Sequence, residues 1–188
     1  MRISYATGSP IASEGELRIK PEQKIVAIGA ASGVIGMIVM VWLLAKLIPG
    51  PAIADTAAVR IAYALHWAVP PALLFFFMVG AVGNARFKSE AIDPTAGKES
   101  ERMIIDRRVA DNTLQQLVLF LVGLLGLSVT LPPDGLSVVA AVAITFVVAR
   151  CIFWFGYRIH PLYRAPGFSS TAYLNLGMLL ATLWLWLR

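Results

Sequence analysis

Charged residues are scarce in this chain. Only 14% of its 188 residues are Asp, Glu, Lys or Arg, whereas an average soluble domain carries about 25%. Cys151 is the single cysteine, and there are two histidines. One cysteine excludes an intrachain disulfide, and no cluster of His, Cys, Asp or Glu at ligand spacing indicates a metal site. These shortages argue against a soluble globular domain.

Long apolar runs take the place of the missing charges. Crossing about 30 Å of hydrocarbon requires about 20 helical residues. Five runs approach that length, at about 25–47, 61–82, 117–131, 136–157 and 169–187, and the third is preceded by a charged stretch that begins near Arg102. None alternates like a barrel strand. We therefore predict an all-α transmembrane helical bundle, preceded by a polar tail at residues 1–24.

The distribution of Lys and Arg predicts the orientation of this bundle. Twelve basic residues lie in the tail, in the segment between runs two and three, and in the loop between runs four and five, whereas three lie on the opposite side. The positive-inside rule then places the tail in the cytoplasm and the C-terminus outside. The net charge of +5 is explained by these loops, so no nucleic-acid partner is predicted.

One set of polar side chains lies at the start of the third helix. Arg108, Asn112 and Gln115 are spaced i, i+4, i+7 and share one helix face. Their guanidinium and amide groups suit an anionic, peptide-like ligand. The alternative is an ordinary basic helix end that meets anionic lipid headgroups. Arg107 and Asp111 are predicted to form a simple surface pair.

A second polar set lies inside the fourth run. Arg150, Trp154 and Tyr157 share one face, and Arg150 lies about 10 Å from the cytoplasmic end of its helix. The turn at 132–135 joins the third and fourth helices into an antiparallel hairpin, so we expect Arg108 and Arg150 to project into one cleft. Alternatively, Arg150 snorkels towards the headgroups or pairs with a structural carboxylate.

These motifs, taken in order, resemble a known family. Arg108-x-x-x-Asn112 opens an apolar helix, and Arg150 and Tyr157 lie on the next helix. The same order continues with Arg164-Ala165-Pro166, with Ser169, and with the earlier helix end Val82-Gly83-Asn84-Ala85-Arg86. This pattern resembles the MAPEG family, the membrane-associated proteins in eicosanoid and glutathione metabolism. The resemblance covers residues 60–188 and leaves 25–47 as an additional transmembrane helix.

The resemblance implies a four-helix membrane domain that forms a homotrimer and binds glutathione between subunits near the cytoplasmic face. By the resemblance, Arg108, Asn112, Arg150 and Tyr157 match residues that hold glutathione, and Ser169 matches a serine close to its sulfur, which makes it the catalytic candidate. Gln115 and Arg164 are further candidates for this site, with Arg164 approaching it from the loop at a position that is not equivalent. Gln115 stands where the family usually has glutamate. Phe168 stands where several members have a thiol-activating arginine.

Three functions follow as hypotheses. The first is an inner-membrane protein of bacterial type that uses glutathione as co-substrate, with no metal, to conjugate or reduce hydrophobic small molecules from the lipid bilayer. The second is a non-catalytic trimer that retains the fold, which Gln115 and Phe168 favour. The third is a small transporter or membrane-assembly subunit in which Arg150 serves only packing.

Overall fold

A computed structural model describes residues 20–188 of the protein and shows five long helices. They are α1 (Pro21–Leu47), α2 (Ala57–Phe87), α3 (Glu101–Thr130), α4 (Ser137–Ile159) and α5 (Ala165–Trp186). Each is long and apolar enough to cross a membrane. The predicted all-α membrane bundle, with a four-helix core and one additional N-terminal helix, is confirmed.

Three helices start four residues earlier than the apolar runs suggested, and one of them is α5, which begins at Ala165. α1 begins at Pro21, four residues before the predicted boundary, because proline suits the first turn of a helix, where no intrahelical amide bond is needed. Residues 1–19 of the predicted tail lie outside the described residues. α2 begins after Thr56, whose hydroxyl accepts a hydrogen bond from the Val59 amide at 3.3 Å. α2 then continues as one helix through Pro70 and Pro71. Apolar runs do not reveal the parts of a helix that carry polar residues, so they underestimate helix length at the ends.

α4 is the central helix and contacts each of the other four. Its Phe146 packs against Phe120 of α3, with ring centroids 4.4 Å apart. Leu124 and Val139 are fully buried in the same core. A tight turn at Pro133–Gly135 lies between α3 and α4, as the sequence predicted. This hairpin brings the polar start of α3 and the polar end of α4 to the same side of the bundle.

The additional helix α1 packs directly on α5 and α4. At Gly33 the approach is so close that an added Cβ would lie 2.2 Å from the carbonyl oxygen of Pro166. The Ser169 hydroxyl donates to the Ala30 carbonyl at 3.0 Å, and the Ser170 hydroxyl donates to the Gly33 carbonyl at 2.8 Å. Small residues and interhelical hydrogen bonds of this kind hold helices together in lipid. α1 is therefore an integral part of the bundle.

Charged residues connect α2 and α3 at the end of the bundle that carries the basic loops. Glu99 forms ion pairs with both Arg86 and Arg107, the latter at 3.0 Å. The predicted pair between Arg107 and Asp111 is wrong. Glu99 precedes α3 and approaches Arg107 from the loop, which leaves Asp111 exposed without an ion pair in the described part of the chain.

Candidate ligand-binding site

Arg150 is the most unusual residue of the bundle interior, because its side chain is 0% exposed. Its Nη2 donates to Asn112 Oδ1 at 3.0 Å and to Thr113 Oγ1 at 2.9 Å. Its Nη1 donates to Thr171 Oγ1 at 3.1 Å. These acceptors come from α3 and α5, so one guanidinium from α4 joins three helices. Such burial excludes the alternative in which Arg150 snorkels towards the headgroups.

All the hydrogen-bond acceptors of Arg150 are electrically neutral. Among residues 20–188 the guanidinium forms no ion pair, and its Nε has no hydrogen-bond partner. The Phe153 ring lies 4.0 Å from its central carbon and stabilises the charge through a cation–π contact. The structural carboxylate weighed as an alternative is thus not found in the described residues. The positive charge of Arg150 remains uncompensated beside Asn112.

A cavity of about 310 Å³ lies next to Asn112, between α3, α4 and the start of α5. Its walls combine cationic, amide, phenol and aromatic groups, contributed by Arg108, Asn112, Phe153, Tyr157, Arg164 and Phe168. Four of these six residues were predicted from the sequence. Phe168 was singled out only as the residue that stands where several family members have an arginine, and it lies at the cavity wall. Phe153 was not predicted, although it lies three residues after Arg150 on the same helix.

Arg108 and Arg164 supply two guanidiniums to the cavity. Both side chains are exposed, and neither forms an ion pair with any carboxylate of residues 20–188. Arg164 Nη1 donates to the Tyr157 hydroxyl oxygen at 3.1 Å, and the guanidinium lies 4.9 Å from the centre of the Tyr157 ring. The cavity therefore presents two cations with free hydrogen-bond donors, one of them already oriented by a neighbouring ring.

Three predicted site residues do not line this cavity. Arg150 lies one hydrogen bond away, behind Asn112. Gln115 is exposed on α3, whereas the adjacent Gln116 is buried and accepts a hydrogen bond from Asn175 at 2.9 Å. Ser169 lies on the side of α5 that faces α1. The expectation that Arg108 and Arg150 project into one cleft is wrong, because Arg150 is fully buried behind Asn112 and does not line the cavity. The roles of Gln115 and Ser169 stay predictions.

Asp106 is a buried charged residue that the sequence analysis did not single out. Its two carboxylate oxygens accept hydrogen bonds from Arg158 Nε and Nη2, both at 2.7 Å, and one also accepts from Trp154 Nε1 at 2.9 Å. Trp154 therefore faces Asp106 and does not line the cavity beside Tyr157. The signal was present, since Asp106 is an acidic residue on the same helix as Arg108. Its pairing neutralises Arg158 and leaves the cavity arginines free.

Comparison with known proteins agrees with this arrangement of helices. The family model described as the MAPEG family matches residues 63–184, which include α3, α4 and most of α2 and α5. The chain belongs to the MAPEG family. Within this MAPEG protein the match begins after α1 has ended, so α1 is additional to the family core.

A curated relative of this MAPEG protein comes from Synechocystis sp. and is described as an uncharacterized protein, sll1147. The two sequences are 32% identical over 117 residues, which cover 60% of this chain and 82% of the relative. No solved structure matches the chain. The comparisons thus establish the family of this integral membrane protein but not its activity.

Proposed function

We propose that this protein binds glutathione or a closely related thiol in the cavity between Arg108 and Arg164, and uses it to conjugate or reduce hydrophobic compounds. One observation carries the proposal: two arginines with no carboxylate partner among the described residues line the same cavity. Exposed cations that point into a shared space attract an anion that carries more than one negative charge. Membership of the MAPEG family suggests which anion this is.

The lining residues match the groups of glutathione. Its two carboxylates find the guanidiniums of Arg108 and Arg164, which can each bind a carboxylate through two parallel hydrogen bonds. Asn112 accepts from Arg150 through its oxygen, so its NH₂ group remains a donor for a peptide carbonyl. The volume of about 310 Å³ falls in the range of small-molecule sites, which starts at about 300 Å³.

Activation of the thiol has two candidate contributors. Arg164 carries a positive charge at the cavity wall, and a nearby cation lowers the pKa of a thiol. Ser169, proposed from the family pattern, donates its hydroxyl hydrogen to α1 and lines a neighbouring cavity of about 350 Å³, which shares Arg164 and Phe168 with the first. Arg164 lines both cavities, and we assign it the larger role in lowering the pKa of the thiol.

The proposal extends to assembly and orientation. We propose a homotrimer in a bacterial inner membrane, with the cavity at the cytoplasmic face, because the Lys- and Arg-rich segments lie at that end. Gln115 is exposed on α3, where a neighbouring subunit can bring it close to the ligand. Hydrophobic co-substrates would reach the site from the lipid bilayer.

A non-catalytic member of the family is the second candidate, and Phe168 favours it. This residue lies at the cavity wall and offers an aromatic ring where a cation is expected in active relatives. Such a protein would bind the ligand without ionising its thiol. The third hypothesis, a transporter or assembly subunit, is favoured only by the neutral hydrogen-bond shell of Arg150.

Calorimetric titration of the purified protein with glutathione tests binding. Arg108→Ala and Arg164→Ala should each weaken binding at least tenfold, because a hydrogen bond between a guanidinium and a ligand carboxylate contributes about 1.5–3 kcal/mol. Arg107→Ala is the matched control. It removes the same charge at the neighbouring position, where the arginine pairs with Glu99. Equal effects at 107 and 108 would mean that only net charge matters.

Thiolate absorbance separates the first two candidates. A catalytic protein should produce a thiolate signal when glutathione binds, and the signal should disappear in Arg164→Ala. Turnover would then be measured with a panel of electrophiles and hydroperoxides. Binding with no thiolate signal and no turnover would leave the non-catalytic trimer as the function, and no binding at all would favour the transporter or assembly subunit.

A further inference from the structure

A large cavity of the described bundle lies away from the polar site, towards the opposite end. Its volume is about 760 Å³, and its lining comes from α1, α3, α4 and α5. The lining is apolar except near its ends, and it includes Ile38, Trp42 and Lys46 of α1 and Tyr173 and Gly177 of α5. Ile38, Trp42 and Tyr173 are more than half exposed. The cavity is therefore a groove that opens sideways on the membrane-facing surface.

The groove exists because α1 and α5 touch tightly at one end and leave space at the other. Contact is closest at Gly33, where Ser170 bonds to the α1 backbone. Beyond Gly33 the side chains of both helices line open space. Gly177 widens the groove further, since a Cβ added there would find no atom within 4 Å. The apolar walls of this groove offer an acyl chain many van der Waals contacts on more than one side.

The length of the groove corresponds to one leaflet of a bilayer. Along α1 it extends from Val34 to Lys46, which at 1.5 Å per residue is about 18 Å. Half of a hydrocarbon core is about 15 Å thick. The closed end near Gly33 therefore lies close to the bilayer midplane, and the end at Lys46 lies at headgroup level.

Lys46 gives the headgroup end of the groove a positive charge. Its ammonium lies 4.2 Å from the centre of the Trp42 ring, and it forms no ion pair with the carboxylates of residues 20–188. A cation and an aromatic ring at the membrane–water boundary suit a phosphate above an acyl chain. Each of the five helices has 22 residues or more, which is at least about 33 Å, so a helix from a second copy would extend well beyond the groove.

We propose that this groove binds one acyl chain of an anionic phospholipid from the leaflet opposite the polar site, with the phosphate on Lys46. The site is independent of the glutathione proposal, because it shares no lining residue with that cavity. The guest completes the packing of α1 against α5. It thereby links the additional helix to the family core on the side where protein contacts are sparse.

Native mass spectrometry of delipidated protein, titrated with phosphatidylglycerol, tests the site. We expect one tightly held lipid per chain. Gly177→Leu should weaken retention about tenfold, because its side chain takes the place of nearly two methylenes at ~0.8 kcal/mol each. Lys46→Gln should weaken it about fivefold and remove the preference over phosphatidylcholine, consistent with ~1 kcal/mol per basic residue near the surface.

Gly80→Leu is the matched control. Gly80 is exposed on α2, has no atom within 4 Å of an added Cβ, and does not line the groove. The proposal is overturned if Gly177→Leu and Gly80→Leu retain the lipid equally well. It is also overturned if Ile38→Cys, introduced into a Cys151→Ser background, forms disulfide-linked pairs in native membranes, because the groove would then be an interface between copies of this chain.

Discussion

The guanidinium of Arg150 donates to the side-chain oxygen of Asn112 at 3.0 Å, although the two residues lie 38 positions apart in the chain. This contact places a buried positive charge directly behind a cavity-lining amide. It also explains why Arg150 can matter for ligand binding without touching a ligand. Asn112 is held in one orientation, with its NH₂ group free to donate.

Arg150→Ala should destabilise the protein by about 3 kcal/mol. The substitution leaves a large void in the core and removes three hydrogen bonds from the guanidinium. Unfolding in detergent, followed by intrinsic fluorescence, measures the effect. Arg108→Ala is the control and should unfold like the wild type, since Arg108 is exposed. Equal stability of the two variants would contradict a structural role for Arg150.

Asp106→Asn should lower the free energy of unfolding by about 2 kcal/mol. It removes the charge that Arg158 contacts with two nitrogens at 2.7 Å each, and breaking a mostly buried ion pair leaves the other charge uncompensated. Partial exposure of Arg158 reduces the effect. A double-mutant cycle with Arg158→Gln should show coupling of about 1 kcal/mol or more. The exposed turn substitution Asp134→Asn should change nothing, and additive effects at 106 and 158 would disprove the pair.

Gly33→Leu should detach α1 from α5. An added Cβ at Gly33 meets the Pro166 carbonyl oxygen at 2.2 Å, whereas one at Gly36 meets nothing within 4 Å. We expect Gly33→Leu to expose α1 to limited proteolysis and Gly36→Leu to remain protected. Comparable cleavage of both variants would show that the close contact is not what holds α1 in place.

Ser169→Ala distinguishes a catalytic serine from a helix-docking serine. The catalytic prediction requires a lower kcat at unchanged protease resistance of α1. The contact of the hydroxyl with the Ala30 carbonyl predicts instead a loss of about 1 kcal/mol in stability with kcat and KM for glutathione preserved. We expect the second result. Ser170→Ala serves as the control. The Ser170 hydroxyl donates to Gly33 of α1, the helix that Ser169 also contacts, and Ser170 is not a catalytic candidate.

The helical membrane fold and the approximate positions of most helices could be predicted directly from the sequence. Apolar runs that approach the length of a membrane-spanning helix, and that lack the alternation of a barrel strand, favour a helical bundle, so local composition was sufficient. The sequence also predicted four of the residues that line the cavity, because polar groups in or next to apolar helices are conspicuous. These residues are Arg108, Asn112, Tyr157 and Arg164. Helix periodicity then placed each on a face.

Only the tertiary structure decided what each polar face meets. Helix periodicity grouped Trp154 with Arg150 and Tyr157, yet Trp154 turns to Asp106, because the neighbour across the interface selects the partner. Arg107 binds Glu99 rather than Asp111 for the same reason. The docking of α1 through Gly33 depends on a backbone distance that no single-helix pattern contains. Sequence determines which groups must find partners within lipid, and packing determines which partners they find.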